Sequence, residues 1–456
     1  MARIGENLDL TQGVIWKQLL RFLLPIAAGT LFQQLYSTVD AIIVGQFVGA
    51  DALAAVGGSA AVIIQVLVGI FTGLSSGATV VISHGFGAED KEKLTRAVHT
   101  AIAFSILAGA FITALGIWLA PHALQWTKNP QEIMLDATVY LRLYCLGIIP
   151  MLLFNMGSGI LRAVGDSRRP LYYLIICCIL NILLDLLIVA VIPLGVAGAA
   201  IATALANLAS AALVLVQLCR AKADFRLIPR RVRIHGATLL HILGIGVPAA
   251  VEASMYSISN LLIQIPINHL GTAAVAAWAA TGRVDGVYWS LSVSFGVAIM
   301  AFVGQNYGAG KYQRMRQSVK VCLKIAMLMT VSLTILLLLF ARYCFRIFTD
   351  DPLVIEYATL IVYYFVPFYF LWTFIEVIAN ALRGAGDALM PMIISVGGIC
   401  GVRILWVILV IPHWLTLLSI SICYPISWAI TAAILIVYYR RGKWLKALPS
   451  AEDSPP

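Results

Sequence analysis

The chain has 456 residues, of which 61% are hydrophobic and 11% charged, and its formal net charge is +10. A water-soluble chain would be about a quarter charged, so this composition excludes a soluble globular enzyme. A basic excess can also mark a nucleic-acid surface, but here the basic residues sit in the loops between apolar blocks, which makes them a topology signal instead.

The apolar blocks run to about 20 residues or more, enough to cross a bilayer. Spans are predicted at 14–44, 53–83, 94–119, 134–160, 170–192, 196–219, 237–267, 273–303, 317–341, 356–381, 389–411 and 415–439. The first block outruns a signal-peptide core and shows no small-residue cleavage site, so it reads as a retained helix. The N-terminal segment and every second loop carry the basic residues: Arg3, Lys17 and Arg21, then Lys91, Lys93 and Arg96, then Arg162, Arg168 and Arg169. They continue in the loop from Arg220 to Arg233, in Lys311, Arg314, Arg316 and Lys320, in Arg383, and in Arg440, Arg441, Lys443 and Lys446. The opposite loops hold only Lys128, Arg342 and Arg346. The positive-inside rule places both termini in the cytoplasm and requires an even number of spans. The eight cysteines lie mostly within spans, Cys177-Cys178 included, and show no CxxC pair. They read as small apolar packing residues, with no structural disulfide and no metal site.

The chain repeats itself. GILRAVGDSRRP (159–170) matches NALRGAGDALMP (380–391), aligning Arg162, Gly165, Asp166 and Pro170 with Arg383, Gly386, Asp387 and Pro391 at an offset of 221. The same offset aligns Phe86-Gly87-Ala88 with Tyr307-Gly308-Ala309; GADALAA and GTAAVAA are 222 apart, and Pro25 and Pro248 are 223 apart. Two halves of six spans each are therefore expected: residues 1–219, a basic cytoplasmic linker 220–236, residues 237–440, and a cytoplasmic tail 441–456. Six is even, so the repeats are parallel, with a central cavity expected between them as in secondary transporters. Two repeated loops imitate soluble motifs. GQNYGAGK (304–311) lacks the glycine spacing of a phosphate loop, and Tyr312 follows its lysine. Gly384-Ala385-Gly386-Asp387 resembles the motif of intramembrane aspartyl proteases, but it recurs as AVGD at 163–166, so it reads as a turn.

An ionisable residue inside a span is costly and points to function by default. The acidic ones are Asp40, Asp185, Glu252, Asp285 and Glu376, and the basic ones Arg142, Arg283 and Arg403. Pairing that only holds helices together is a fair reading for Arg283 with Asp285 and for Arg403. Depth separates Asp40 and Asp185 from the rest. Spans 1 and 5 run outward and span 6 returns, which puts Asp40, Asp185 and Thr203 roughly 8–12 Å below the outer surface at 1.5 Å per residue. Asn181 shares a helix face with Asp185. These four make an oxygen-ligand site for a small cation such as Na+, or else a carboxylate pair sharing one proton, because two adjacent carboxylates cannot both ionise cheaply. The offset of 221 maps Asn181 to Val402 and Asp185 to Trp406, so the second half lacks the set, which favours function over structural glue. Glu252 and Glu376, the latter aligned with Asn155, either face the central cavity and attract cationic substrate or tie helices together.

LPIAAGTLFQQLYSTVDAIIVGQFVGADALAAVG (24–57), the LRAVGD and LRGAGD turns, NILLDLLI and AAIATA, in this order along essentially the whole chain, resemble the multidrug and toxic compound extrusion (MATE) family, in its bacterial DinF-like branch. The resemblance implies an all-α integral membrane protein of twelve transmembrane helices in the MATE or MOP-type fold. It implies a proton- or sodium-coupled antiporter exporting amphipathic, often cationic, drugs by alternating access, rather than an enzyme. It implies a coupling site in the first half, which falls here on Asp40, Asn181, Asp185 and Thr203. Gln33 and Tyr36 would line the same cavity, with Tyr140 and Asn155 further candidates; for Tyr36 and Tyr140 ordinary packing is an equal alternative. Other branches couple through acids of the second half, where Glu252 fits. A substrate role for Arg283, Asp285 and Glu376 completes the expected set. No cofactor is expected beyond H+ or Na+, and no partner beyond drug and lipid; the protein is expected to act as a monomer in the cytoplasmic membrane.

Other readings remain. A lipid-linked precursor flippase should carry a strongly basic cavity, whereas here the intramembrane acids outnumber the bases. A sodium-coupled importer shares the topology. A membrane protease lacks a second motif for its catalytic pair, and a scaffold has no need for carboxylates at matched depth.

Overall fold

The computed structural model describes residues 8–127 and 130–442. Arg3, Lys128, Lys443, Lys446 and nearly all of the predicted tail lie outside the described residues. Within them the elements are α1 (Ile15–Phe47), α2 (Ala50–Gly57), α3 (Ser59–Gly87), α4 (Lys91–Trp126), α5 (Met134–Leu146), α6 (Ile148–Ala163), α7 (Arg168–Asp185) and α8 (Gly195–Arg220). There follow α9 (Gly236–His269), α10 (Thr272–Gly308), α11 (Tyr312–Arg346), α12 (Pro352–Phe365), α13 (Tyr369–Gly384), α14 (Leu389–Ser395), α15 (Val402–Leu409) and α16 (Leu417–Arg441). Eleven helical stretches are long and apolar enough to cross a bilayer, and the bent pair α5–α6 makes a twelfth.

Two predicted spans are broken for a visible reason. The span expected at 134–160 bends by 47° between Leu146 and Ile148. Pro150, in the first turn of α6, has no N–H to continue the ladder, and Gly147 at the joint carries no side chain. In the second half, Pro367 interrupts the span between α12 and α13 with a short 3₁₀ turn, Val366–Phe368. Where the chain leaves the membrane, side chains cap helices. Asp90 accepts from the Lys93 amide, Asp351 from Leu353 and Thr416 from Ser419.

Two compact units emerge. One comprises residues 8–13, Leu20–Ala250 and Gly304–Gly310, the other Val14–Leu19, Val251–Val303 and the described residues from Lys311 onward. The boundary near the middle of the chain thus falls inside α9 rather than in the basic linker. The first unit claims the start of α9 because Gly73 and Gly77 of α3 let its backbone come close: a Cβ on Gly77 would lie 2.2 Å from the Ile242 carbonyl oxygen. Both soluble-motif imitations are structural. Gly165 and Gly386 take positive φ (87° and 98°), and each turn repeats the same bonds, Gly165 to the Arg162 carbonyl and Gly386 to that of Arg383. Residues 304–308 continue α10, with Gln305 buried and donating to the Ala163 carbonyl at 2.7 Å. All eight cysteines are free.

Candidate functional site

The first unit brings the four depth-matched residues together from three helices. Asp40 comes from α1, Asn181 and Asp185 from α7, and Thr203 from α8. The close approach of α8 follows from its composition: GVAGAAIATA places Gly198, Ala199, Ala200 and Ala202 among buried contacts, and a Cβ on Gly198 would sit 3.1 Å from the Ile188 carbonyl oxygen. Asp185 is the last α-helical residue before a π-helical turn, Leu186–Val191. Such turns widen the backbone locally and are frequent at functional sites.

The Asp40 and Asp185 carboxyls lie within hydrogen-bonding reach of one another. Asp185 is 0% exposed and Asn181 1%. Asn181 Nδ2 donates to Thr203 Oγ1 at 3.4 Å, and the Tyr36 hydroxyl is within hydrogen-bonding reach of Thr203. Tyr140 and Tyr144 of α5 stand near Asp40. Four oxygens have no donor: Asp40 Oδ1, Asn181 Oδ1 and both oxygens of Asp185. Among the described residues, neither aspartate forms an ion pair with an arginine or lysine. Two adjacent carboxyls without a donor between them need a proton or a small cation, because buried like charges repel strongly. The four orphaned oxygens are the donor type a hard cation takes. Among the described residues no group of three or more His, Cys, Asp or Glu side chains could hold a metal, so a metal ion here would depend on Asn181 and Thr203.

Next to this set lies a cavity of about 140 Å³, lined by Gln33, Tyr36, Asn155 and Thr203 among others. Three of the expected lining residues are thus in place. Tyr140 is buried beside the carboxyls and is not among the lining residues. The sequence reading missed Tyr144, Ser158, Arg162 and Asn207. Asn207 was readable, one turn from Thr203 on the same helix face. Arg162 entered only as a topology charge and as part of the repeated turn.

The second unit treats its acids differently. Glu252 of α9 pairs with Arg383 of α13, and Tyr256 donates to Glu252 at 3.0 Å. Glu376 accepts from Asn380 at 2.8 Å, and Gly296 of α10 makes room for it: a Cβ there would meet the carboxylate at 2.1 Å. The Glu252–Arg383 pair joins α9 to α13 and favours the helix tie for Glu252, whereas the bond that Glu376 accepts stays within α13. The expected Arg283–Asp285 pair does not form. Asp285 is 3% exposed and Arg283 is exposed, because residues two apart point to different sides of a helix. Asp285 lies instead beside the Tyr369 hydroxyl, in a cluster where Tyr288 stacks on Tyr369 at 3.9 Å between ring centroids. Arg403 donates to Asn260 at 3.0 Å and lies over the Tyr424 ring, the helix-holding role expected of it. Arg142 is exposed and donates to the Ile117 carbonyl.

A multi-pass helical membrane protein built of two related halves, with a buried acidic pair in one of them, defines a class of transport protein. The MatE family description matches residues 25–187 and again 248–409, so the chain belongs to the MatE, or multidrug and toxic compound extrusion, family. Among curated proteins it is similar to the probable multidrug resistance protein YoeA of Bacillus subtilis, 27% identical over 93% of this chain and 94% of that one. It is likewise 27% identical to the probable multidrug resistance protein NorM of Thermotoga maritima, over 95% and 94% of the two chains. Among solved structures, a MOP superfamily transporter from Pyrococcus furiosus shares the fold with a TM-score of 0.88 at 23% identity, over 98% of this chain and 100% of that one.

Proposed function

We propose that this protein is a multidrug efflux transporter that couples export of amphipathic, often cationic, compounds to entry of protons or sodium ions by alternating access. The observation that carries the coupling is the Asp40–Asp185 pair: two carboxyls in mutual reach, with no cationic partner among the described residues, beside a cavity of mixed polar and apolar lining. Cation binding to this pair and drug binding to the adjoining cavity would oppose each other. The cation neutralises the aspartates and withdraws the negative charge that a cationic drug needs. Exchange at adjoining sites then gives obligatory coupling. Asn181 and Thr203 orient the pair or complete the cation's oxygen shell. The relatives named multidrug resistance proteins support the substrate class. The distribution of basic loops supports a cytoplasmic-membrane location with both termini inside.

The test is Asp185→Asn, with ethidium or norfloxacin efflux measured in cells at matched membrane levels. Loss of efflux is expected, and undiminished efflux would sink the coupling assignment. Imposed proton and sodium gradients, applied separately to reconstituted protein, identify the ion.

A further inference from the structure

At the far end of the cavity from Asp40 and Asp185, the side chain of Arg162 forms part of the wall together with Ser158, one turn earlier on α6. The Nε of Arg162 is buried without a hydrogen-bond partner, and so is the Ser158 hydroxyl, whose residue is 2% exposed. Among the described residues no carboxylate forms an ion pair with the guanidinium. The nearest in sequence, Asp166, is occupied by Arg169 at 3.2 Å and by the Arg168 and Arg169 amides. The terminal carbonyls of α6 offset part of the charge. Arg162 is half-buried, and only its Nε is sealed off without a partner, so its terminal nitrogens stay available to an anion in the cavity. A guanidinium partly withdrawn from water normally pairs.

The repeat shows what is missing. Arg383 is the counterpart of Arg162, and it is paired with Glu252 and lies close to Glu376. The offset of 223 that aligns Pro248 with Pro25 puts Gly29 at the place of Glu252, and the offset of 221 puts Asn155 at the place of Glu376. Both Gly29 and Asn155 line the cavity. The first half thus has a void and neutral residues where the second half has its own carboxylates.

We infer that the Arg162–Ser158 end of this cavity receives a carboxylate or similar anionic group carried by the substrate, so that the preferred substrates are zwitterionic amphiphiles, with the cationic group toward Asp40 and Asp185 and the anionic group on Arg162. The inference rests on the reading of this cavity as the substrate site. A guanidinium and a hydroxyl donor together form charge-assisted hydrogen bonds to a carboxylate.

The test compares binding of norfloxacin, which carries a carboxylate, with binding of its ethyl ester, which does not, on the full-length purified protein in chloride and in gluconate buffer. Wild type is expected to bind the acid about tenfold more tightly than the ester, and Arg162→Gln to bring the two within about twofold, with ester affinity not reduced. Arg162→Lys keeps much of the preference. Asn155→Glu, which installs the carboxylate of the second half, abolishes it and also serves if Arg162→Gln does not fold. A preference retained in Arg162→Gln or in Asn155→Glu overturns the inference. So does an equal loss of acid and ester, which would mark Arg162 as structural, or binding that follows chloride and ignores the ester, which would mark a site for a free anion. Equilibrium binding does not need ion coupling. Intact efflux in Asp185→Asn therefore refutes the coupling assignment without touching this result.

Discussion

Arg162 and Arg383 hold the same place in two copies of one motif and have opposite company. Arg383 is held by Glu252 and its near neighbour Asn380, while Arg162 faces a cavity with no carboxylate. The acids show the converse. Asp40 and Asp185 face each other in the first half, whereas the corresponding positions of the second half hold Ile263 and Trp406, packed in one apolar cluster with Ile411 and Cys423. The second copy pairs Glu252 with Arg383 and packs apolar side chains at the two positions that answer to the aspartates, while its buried Asp285 sits beside a tyrosine hydroxyl with no ion pair among the described residues. The first copy keeps its charges unmatched beside a cavity. Divergence of a repeat into a closed half and an open half puts ligand chemistry where internal pairing is absent.

The largest expected effect strikes the open half's acids. Asp40→Asn or Asp185→Asn should reduce cation-driven efflux by at least about tenfold, while the thermal midpoint of the purified protein holds or rises, since removing a buried uncompensated charge relieves desolvation. A fall in both efflux and midpoint would instead assign the pair a structural role, like that of Glu252. Next comes the closed half. Glu252→Gln should destabilise the protein by about 3 kcal/mol, because it breaks the ion pair and leaves Arg383 only Asn380 and the neighbouring Glu376. Arg162→Gln should cost no more than about 1 kcal/mol, since no ion pair is broken. Thermal unfolding in one detergent compares the two directly, and equal losses would erase the distinction between the halves. The smallest effect belongs to Thr203→Ala. Its hydrogen bond to Asn181 is long, and such bonds between membrane helices contribute about 0.6 kcal/mol, or roughly threefold in apparent cation affinity. A tenfold loss would promote Thr203 from orienting residue to direct ligand.

Much of the candidate site was legible because depth is nearly a sequence property. A span of known direction assigns each residue a height, and Asp40, Asp185 and Thr203 shared one. Asn181 followed from helix periodicity. Tyr144 was not legible, because the α5–α6 bend at Gly147 decides which aromatic residues reach Asp40. Asp285 and Arg283 were misread as partners because proximity along the chain was taken for proximity of side chains. Ser158 gave no signal at all.

The amino-acid sequence alone determined the number of spans, the repeat, and the height of each polar residue, since bilayer thickness converts residue count into length. The partner of each charge was decided only by the tertiary structure. Pairing depends on how helices rotate about their axes and how closely small residues let them approach, and neither is written in hydropathy. Arg162 and Arg383 lie in nearly the same local motif; whether a carboxylate stands opposite depends on residue 29 or 252, more than 130 positions away in each half.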